Sequence, residues 1–414
     1  MVWSKNSGQQ TLPRRAIVLG AGVVGVSTAY ALARRGVSVT IIDKGDMAGS
    51  GASFANGAQL SYVYTEALAS SALLKRLPSL ALGLDSGFRL KLGFDPCHIA
   101  WLMRFLRNCT HQRSLENSLD GLKLGLESQL AMRALLDSHP IEFGHQAAGK
   151  MLVYDDPAAF KSACEMVSMR QSHGAEQEIL TPKEAVNKES ALAERSGSFV
   201  GAIYSPQEEL GDPYKFCNAL LSHMAQIYDL QVRLATGVES WAVNGDTAAV
   251  VTSTGEIIES DQLVICAGME AAILLKKHGL ATALMPMKGY SFTAAPGEVA
   301  PRMSITDVSK KIVFCPLDGK IRIAGLAELG VRNTRVEHSQ LAKLISTATT
   351  TLPKAAHYEE SQQGWAGIRP MTANSLPIIR KVTPRVTINA GHGMLGWTYA
   401  MGSAERAARL MGGV

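Results

Sequence analysis

Short apolar runs bounded by glycine, proline and polar clusters alternate with stretches of helical periodicity over most of the chain. Residues 16–19 form an apolar run of the kind a buried parallel strand needs, and they lead into an apolar helix carrying Ala29, Leu32 and Ala33. A second run, 37–42, ends at Asp43. Leu115, Leu122, Leu126, Leu130 and Leu135 fall near helical spacing and predict a long amphipathic helix over 114–138. A strand at 150–154, a helix at 157–172 and a strand at 198–204 follow. Thr181 caps a further helix with Pro182 in its first position, and Asp212-Pro213 starts one that runs to about Tyr228.

The pattern then changes to short strands at 232–235, 238–243, 248–252 and 257–259, the middle two joined by Asn244-Gly245, a strong hairpin signal. A buried strand over 261–268 ends in small residues before a helix. Residues 285–326 give several more strands, including 287–293, 311–315 and 321–324, and 338–350 reads as a helix. The last elements are a strand at 386–389 and a small-residue helix opened by 391–398. No repeat or low-complexity linker interrupts this alternation, so the pattern predicts interleaved domains rather than domains strung in series.

Composition narrows the class. A chain of 414 residues holds two domains, or one with a large insertion, and 46% hydrophobic residues with 38 glycines fit a compact α/β enzyme. The net charge of +5 is modest, and Lys and Arg are not interleaved with stacking aromatics, which argues against nucleic acid as a partner. Cysteines at 97, 109, 164, 217, 266 and 315 form no C-x-x-C pair and no metal spacing with His, so they read as free thiols in a reducing compartment, with no metal site. Residues 1–13 read as a flexible arm without the ordered regions of a signal peptide, and the apolar run 16–33 carries glycines at nucleotide-binding spacing rather than reading as a membrane span. A cytoplasmic protein is expected. The irregular, apolar stretch 66–107 is either core helix, the favoured reading, or an exposed patch for a membrane or partner subunit.

Candidate chemistry begins at Gly20-Ala21-Gly22-Val23-Val24-Gly25, between the first strand and the first helix. Gly20 permits the tight turn, Gly22 lets backbone approach a pyrophosphate, and Gly25 lets the helix lie close on the sheet. The helix N-terminus offers unpaired N–H groups and partial positive charge. Asp43, at the end of the second strand and followed by Lys44, is placed to take both ribose hydroxyls of an adenosine, which favours FAD or NAD over NADP. The motif does not choose between those two. The small-residue segment 49–61 can run beside a cofactor, with Ser53 and Asn56 bonding phosphate or ribose and Ala58, Gln59 and Leu60 continuing toward the reactive ring; a flexible loop is the alternative.

Five places spread over nearly the whole chain resemble the D-amino-acid oxidase-like flavoproteins, and within them the bacterial D-amino-acid dehydrogenase small-subunit group. They are V-L-G-A-G-V-V-G-V (18–26), S-F-A-N-G-A-Q-L-S (53–61), P-M-K-G-Y-S (286–291), W-A-G-I-R-P-M-T (365–372) and N-A-G-H-G-M-L-G-W-T (389–398). The resemblance implies noncovalent FAD, since no cysteine follows Cys315 to attach it. It implies a Rossmann-like FAD-binding domain (14–66, 212–283 and 361–414) interleaved with a mainly antiparallel-sheet substrate domain (67–211 and 284–360). Val238, Ala267 and Gly268, with Gly391, Gly393, Met394, Leu395, Gly396, Trp397 and Thr398 of the closing segment, are the further cofactor-binding residues it implies. A helix N-terminus there can sit beside the flavin edge that becomes negative on reduction.

Arg369, in a strand-ending G-I-R-P turn, is the implied binder of a substrate α-carboxylate, because its planar fork matches a carboxylate bidentately. Tyr62, Tyr64 and Tyr290 are candidates to line the pocket, His392 to contact the ring, and Lys288 is either a flavin-facing or a surface lysine. The implied reaction is oxidation of a D-amino acid to an imino acid, with electrons passed to a quinone or protein acceptor. Oxidation of D-proline or cis-4-hydroxy-D-proline, and a flavin subunit of a multi-subunit amine dehydrogenase, remain as alternatives. The chain ends at Val414, soon after its last helix, which leaves the preferred side chain open.

Overall fold

A computed structural model describes residues 13–71, 73–74, 87–91, 96–195, 197–280, 282–360 and 363–412. Residues 1–12 of the expected arm, and 75–86 and 92–95 of the apolar stretch, lie outside the described residues.

The first strand, Arg15–Leu19, sits inside a six-stranded sheet of order Ile378–Thr383, Val386–Ala390, Gln262–Ile265, Arg15–Leu19, Ser38–Ile42, Leu230–Arg233. All neighbours are parallel except the first pair. Period-two alternation sends Ala16 and Val18 to one face and Ile17 and Leu19 to the other, and both faces are buried. On one face lies the helix Val23–Ala33, which has almost no exposed side and is sandwiched by the helices Pro213–Ile227 and Gly396–Leu410. On the other, the three-stranded sheet of Val238–Asn244, Thr247–Thr252 and Ile257–Ser260 joins the helix Glu270–Lys276 in covering Ile17, Leu19 and Leu263.

A second, nine-stranded sheet runs Gly364–Met371, Met285–Ala294, Lys320–Leu329, Ile312–Leu317, Ser304–Asp307, Lys150–Tyr154, Gly201–Ser205, Glu178–Leu180, with Phe88–Leu90 added beside Lys320–Leu329. It is mainly antiparallel; Phe88–Leu90 and the Ser304–Asp307 to Lys150–Tyr154 pairing are parallel. The helices Pro182–Lys188 and His338–Thr351 bury one face of it around Phe292, Ile305, Phe314 and Ile323. The segment between residues 364 and 371, expected with the nucleotide part, is the edge strand of this second sheet instead. A two-stranded ribbon, Gln59–Leu60 with Glu209–Leu210, lies between the two halves, and the strand pairing of such short pieces carries no periodicity that sequence could display.

The stretch 66–107 divides its character within one helix, Pro96–Asn108: Trp101 and Phe105 are buried and stacked, whereas Ile99 and Met103 are half exposed. No helix among the described residues is long and apolar enough to cross a membrane.

Candidate active site

A cleft of about 1610 Å³ runs between the two sheets, larger than a drug-sized ligand requires. One end is built from the first βα turn. Gly20 has φ +109°, and a Cβ there would lie 2.6 Å from the Cys266 carbonyl oxygen. A Cβ on Gly25 would overlap the Gly20 carbonyl, so helix and strand are as close as glycine allows. Gly22 is different: its Cβ position faces the cleft and meets only Ser53 Oγ, at 3.5 Å. The helix starting at Val23 has no side-chain cap from Gly22; Ser53 takes the Val23 N–H, and the rest of the first turn is left for an anion. This is the cradle a diphosphate needs.

Asp43 lies at this end, but its carboxylate is already engaged by the N–H groups of Ala21 at 2.6 Å and Gly45 at 2.7 Å. Only its remaining lone pairs are left for a ribose hydroxyl, and the Ala21 N–H is not free for phosphate. Lys44 pairs with Glu270 beside it. Ser53 Oγ accepts the Val23 N–H at 3.2 Å, and Asn56 Oδ1 accepts the Ala58 N–H at 2.8 Å, so both shape the lining before any ligand arrives. Val24, Ala58, Gln59, Val238, Ala267 and Gly268 line the cleft. Ala21, Gly25 and Leu60 do not; they support it from behind.

The closing segment leaves the same sheet edge two strands away, after Val386–Ala390. Gly391 and Gly393 have φ of +82° and +57°, and a short 3-10 turn, Gly393–Leu395, feeds the helix Gly396–Leu410 with no side-chain cap. His392, Gly393, Met394, Leu395, Gly396 and Trp397 line the cleft, whereas Thr398 is turned away, its Oγ1 accepting the Ser61 N–H at 2.9 Å. His392 Nε2 meets Ser403 Oγ at 2.9 Å, and burial lowers its pKa to about 3, so it is neutral at physiological pH and carries no proton to donate as an imidazolium.

Arg369 is not in a turn. It stands inside the strand Gly364–Met371, paired with Met287, and its guanidinium crosses the neighbouring strand where a Cβ on Gly289 would lie 2.6 Å from it. Trp365, on the same strand face, lies likewise across Gly367. Removing two side chains thus opens the floor on which an indole and a guanidinium rest, both facing the cleft. Arg369 has no hydrogen-bond or ion-pair partner among the described residues, and its pKa is lowered by desolvation with no acid nearby to offset it.

Two tyrosines expected in the pocket are elsewhere. The Tyr290 hydroxyl donates to Glu328 at 2.7 Å on the helix-covered face, because unbroken alternation along Met285–Ala294 puts residues 290 and 292 on the face opposite Met287 and Gly289. The Tyr62 hydroxyl donates to Glu209 at 3.1 Å in the helical core. Tyr64 does line the cleft, its phenol held well above the usual range by burial and by Glu66. Lys288 faces neither flavin side nor solvent: buried, it donates to Asn333 at 3.1 Å and to the Arg335 carbonyl.

Lys150 is a cleft residue that sequence reading passed over. It begins an otherwise apolar strand, is 3% exposed, and donates to Ser61 Oγ at 2.8 Å and Gln59 Oε1 at 3.2 Å. A charge at the buried end of an apolar strand was the available signal. None of the six cysteines forms a disulfide, and no group of three or more His, Cys, Asp or Glu among the described residues could hold a metal.

The FAD dependent oxidoreductase (DAO) family matches residues 15–410. A D-amino acid dehydrogenase 2 of Ralstonia nicotianae is 36% identical over 95% of this chain and 95% of its own length, and a D-amino acid dehydrogenase of Paramagnetospirillum magneticum is 32% identical over 96% and 95%. The fold is shared with glycine oxidase from Geobacillus kaustophilus (TM-score 0.75, 22% identity, 97% of this chain and 95% of that one) and with L-proline dehydrogenase from P. horikoshii (TM-score 0.72, 18%, 96% and 93%). With an open diphosphate cradle, a second uncapped helix terminus at the same sheet edge and a match over nearly its whole length, the chain belongs to the FAD dependent oxidoreductase family.

Proposed function

We propose that this FAD-dependent oxidoreductase oxidises D-amino acids to imino acids, and that Arg369 binds the substrate α-carboxylate. The observation that carries this reading is a desolvated guanidinium in the cleft with no acidic partner among the described residues. A partly buried cation without a counter-charge carries a desolvation cost, and a bidentate carboxylate offsets it. Substrate names borne by the relatives supply the amino acid class and its chirality.

Bound FAD supplies the two-electron acceptor. Gly22, Val23, Val24, Asp43 and Ser53 would hold its diphosphate and ribose, and the Gly393–Trp397 turn would line the ring end; no cysteine follows Cys315 in the sequence, which supports noncovalent attachment. Arg369 orients the substrate through two parallel hydrogen bonds, so Cα–H is held in one direction and most of the catalysis is positional. Trp365 walls the same floor and keeps water from the anchored group. Tyr64 stays a phenol and can only donate or accept a neutral hydrogen bond.

In this reading residues 14–66, 212–283 and 372–412 form the FAD-binding part, and 67–211 and 284–371 the substrate part. The electron acceptor is a quinone or a protein. The enzyme works in the cytoplasm at the inner face of the cell membrane, with Ile99 and Met103 offering an exposed apolar face there.

Anaerobic bleaching of the bound flavin across D- and L-amino acids, D-proline and cis-4-hydroxy-D-proline tests the function. Rapid bleaching by primary D-amino acids is expected; bleaching by L-enantiomers alone, or by none of these, overturns it. Denaturation should release FAD into the supernatant rather than leave flavin with the precipitated chain.

A further inference from the structure

Removing hydride from Cα requires a free lone pair on nitrogen, yet a D-amino acid in neutral solution carries an ammonium. The proton must go somewhere inside a cleft whose other polar side chains are poor acceptors. Arg369 cannot accept it, Tyr64 is held as a phenol, and His392 is committed to Ser403. We propose that Lys150 is the proton acceptor for the substrate amine. The inference rests on the reading of the cleft as a D-amino-acid site.

The geometry is that of a base. Lys150 Nζ lies in the cleft wall between Ser61 Oγ and Gln59 Oε1, above the Tyr64 ring at 4.7 Å, and it makes no ion pair with a carboxylate among the described residues. A lysine left in neutral contacts inside a protein is one whose free-base form is accessible. Four groups face it from the surrounding elements. Glu208 precedes the short strand Glu209–Leu210, with Oε1 accepting the Val63 and Tyr64 N–H groups and a buried Oε2 that has no hydrogen-bond partner among the described residues. Glu66 is neutralised by Arg170. Cys315, pushed up to about 12 by burial, is a thiol, and Tyr64 is the fourth. Desolvation lowers Lys150 to about 8, and Glu208, itself raised to about 7 by burial, limits that fall.

The step balances. The substrate ammonium gives one proton to the neutral Lys150 amine; the substrate amine then forms C=N with its lone pair as hydride leaves Cα with its electron pair for the family's FAD. The product is an iminium and Lys150 an ammonium, which returns its proton to water through the cleft.

Flavin reduction should therefore rise with pH through an inflection near 8 that coincides with the Lys150 titration followed by nitrogen-15 NMR of labelled lysine in the FAD-loaded protein. Lys150→Ala should slow reduction about 10²- to 10⁴-fold while retaining FAD, and added primary amines should restore rate in order of their basicity. Lys150→Arg, always charged, should stay slow although the positive charge is kept. Should Lys150→Ala fail to fold, Glu208→Gln decides: removing the nearby anion should lower both the NMR midpoint and the kinetic inflection together. Coincident inflections, amine rescue and an inactive Arg variant support the proposal. An inflection unmoved by Glu208→Gln, full activity in Lys150→Arg, or absence of amine rescue overturns it. Wild-type bleaching by D-amino acids tests the underlying reading separately, since it is expected whichever group accepts the amine proton.

Discussion

The two halves of the cleft recognise by opposite means. On the first sheet, the chain removes side chains so that backbone can touch a ligand: Gly20, Gly22 and Gly25 leave a turn, an opening and a close helix. On the second, it removes side chains so that other side chains can reach: Gly289 and Gly367 are the floor for Arg369 and Trp365. Backbone recognition tolerates only glycine at fixed spacing and is therefore written locally in sequence. Side-chain recognition depends on which strand lies alongside, and register is a long-range property.

That difference explains what could be read in advance. The 20–25 motif, the strands around it and the hairpin at Asn244-Gly245 follow from local periodicity and turn chemistry, and they form where expected. Arg369 was reachable through family resemblance, but its strand setting was not, because Pro370 suggests a turn while an edge strand tolerates proline. Tyr290 failed because which face of its strand meets the cleft is a long-range property, and Tyr62 because, just past the strand Gln59–Leu60, it is drawn to Glu209, 147 residues away. Lys150 was missed because its partners, Gln59 and Ser61, are some ninety residues away in the chain.

The comparison can be broken by exchanging the two kinds of damage. The largest effect is expected on the side-chain half. Arg369→Ala should lower kcat/KM for flavin reduction about 10²- to 10³-fold or more while FAD content stays normal, and Arg369→Lys should recover only part, because a point charge does not reproduce the planar fork. Near-wild-type reduction in Arg369→Ala would return the residue to a structural role.

Next comes the backbone half. Gly25→Ala forces the helix off the Gly20 carbonyl, an overpacking cost of about 1–3 kcal/mol, so FAD affinity should fall roughly 5- to 150-fold with loss of thermal stability. Retention of FAD at wild-type affinity would mean the turn is softer than its geometry implies. Asp43→Ala leaves the Ala21 and Gly45 N–H groups without their acceptor and removes the proposed ribose contact, and is expected to weaken FAD about 10- to 100-fold. Asp43→Asn, which keeps an acceptor oxygen, should fall between; equal loss in both variants would assign the effect to charge alone.

The smallest effect concerns His392. Its folded pKa lies below its ordinary value, so the stability it contributes is complete above about pH 6.5 and is lost as pH falls toward 3. Thermal midpoints of wild type should decline over that window more steeply than those of His392→Asn, with no difference in slope between pH 7 and 8. Parallel curves would show that the imidazole is not held neutral by burial.

The central claim is that one guanidinium on the second sheet reads the substrate carboxylate. Stopped-flow flavin reduction by a D-amino acid and by its amide, which keeps the amine and Cα–H but loses the anion, tests it in wild type and Arg369→Ala. Wild type should favour the acid by about 10²-fold or more, and the preference should collapse toward unity in the variant. A preference that survives loss of Arg369 would place the carboxylate elsewhere and contradict the account.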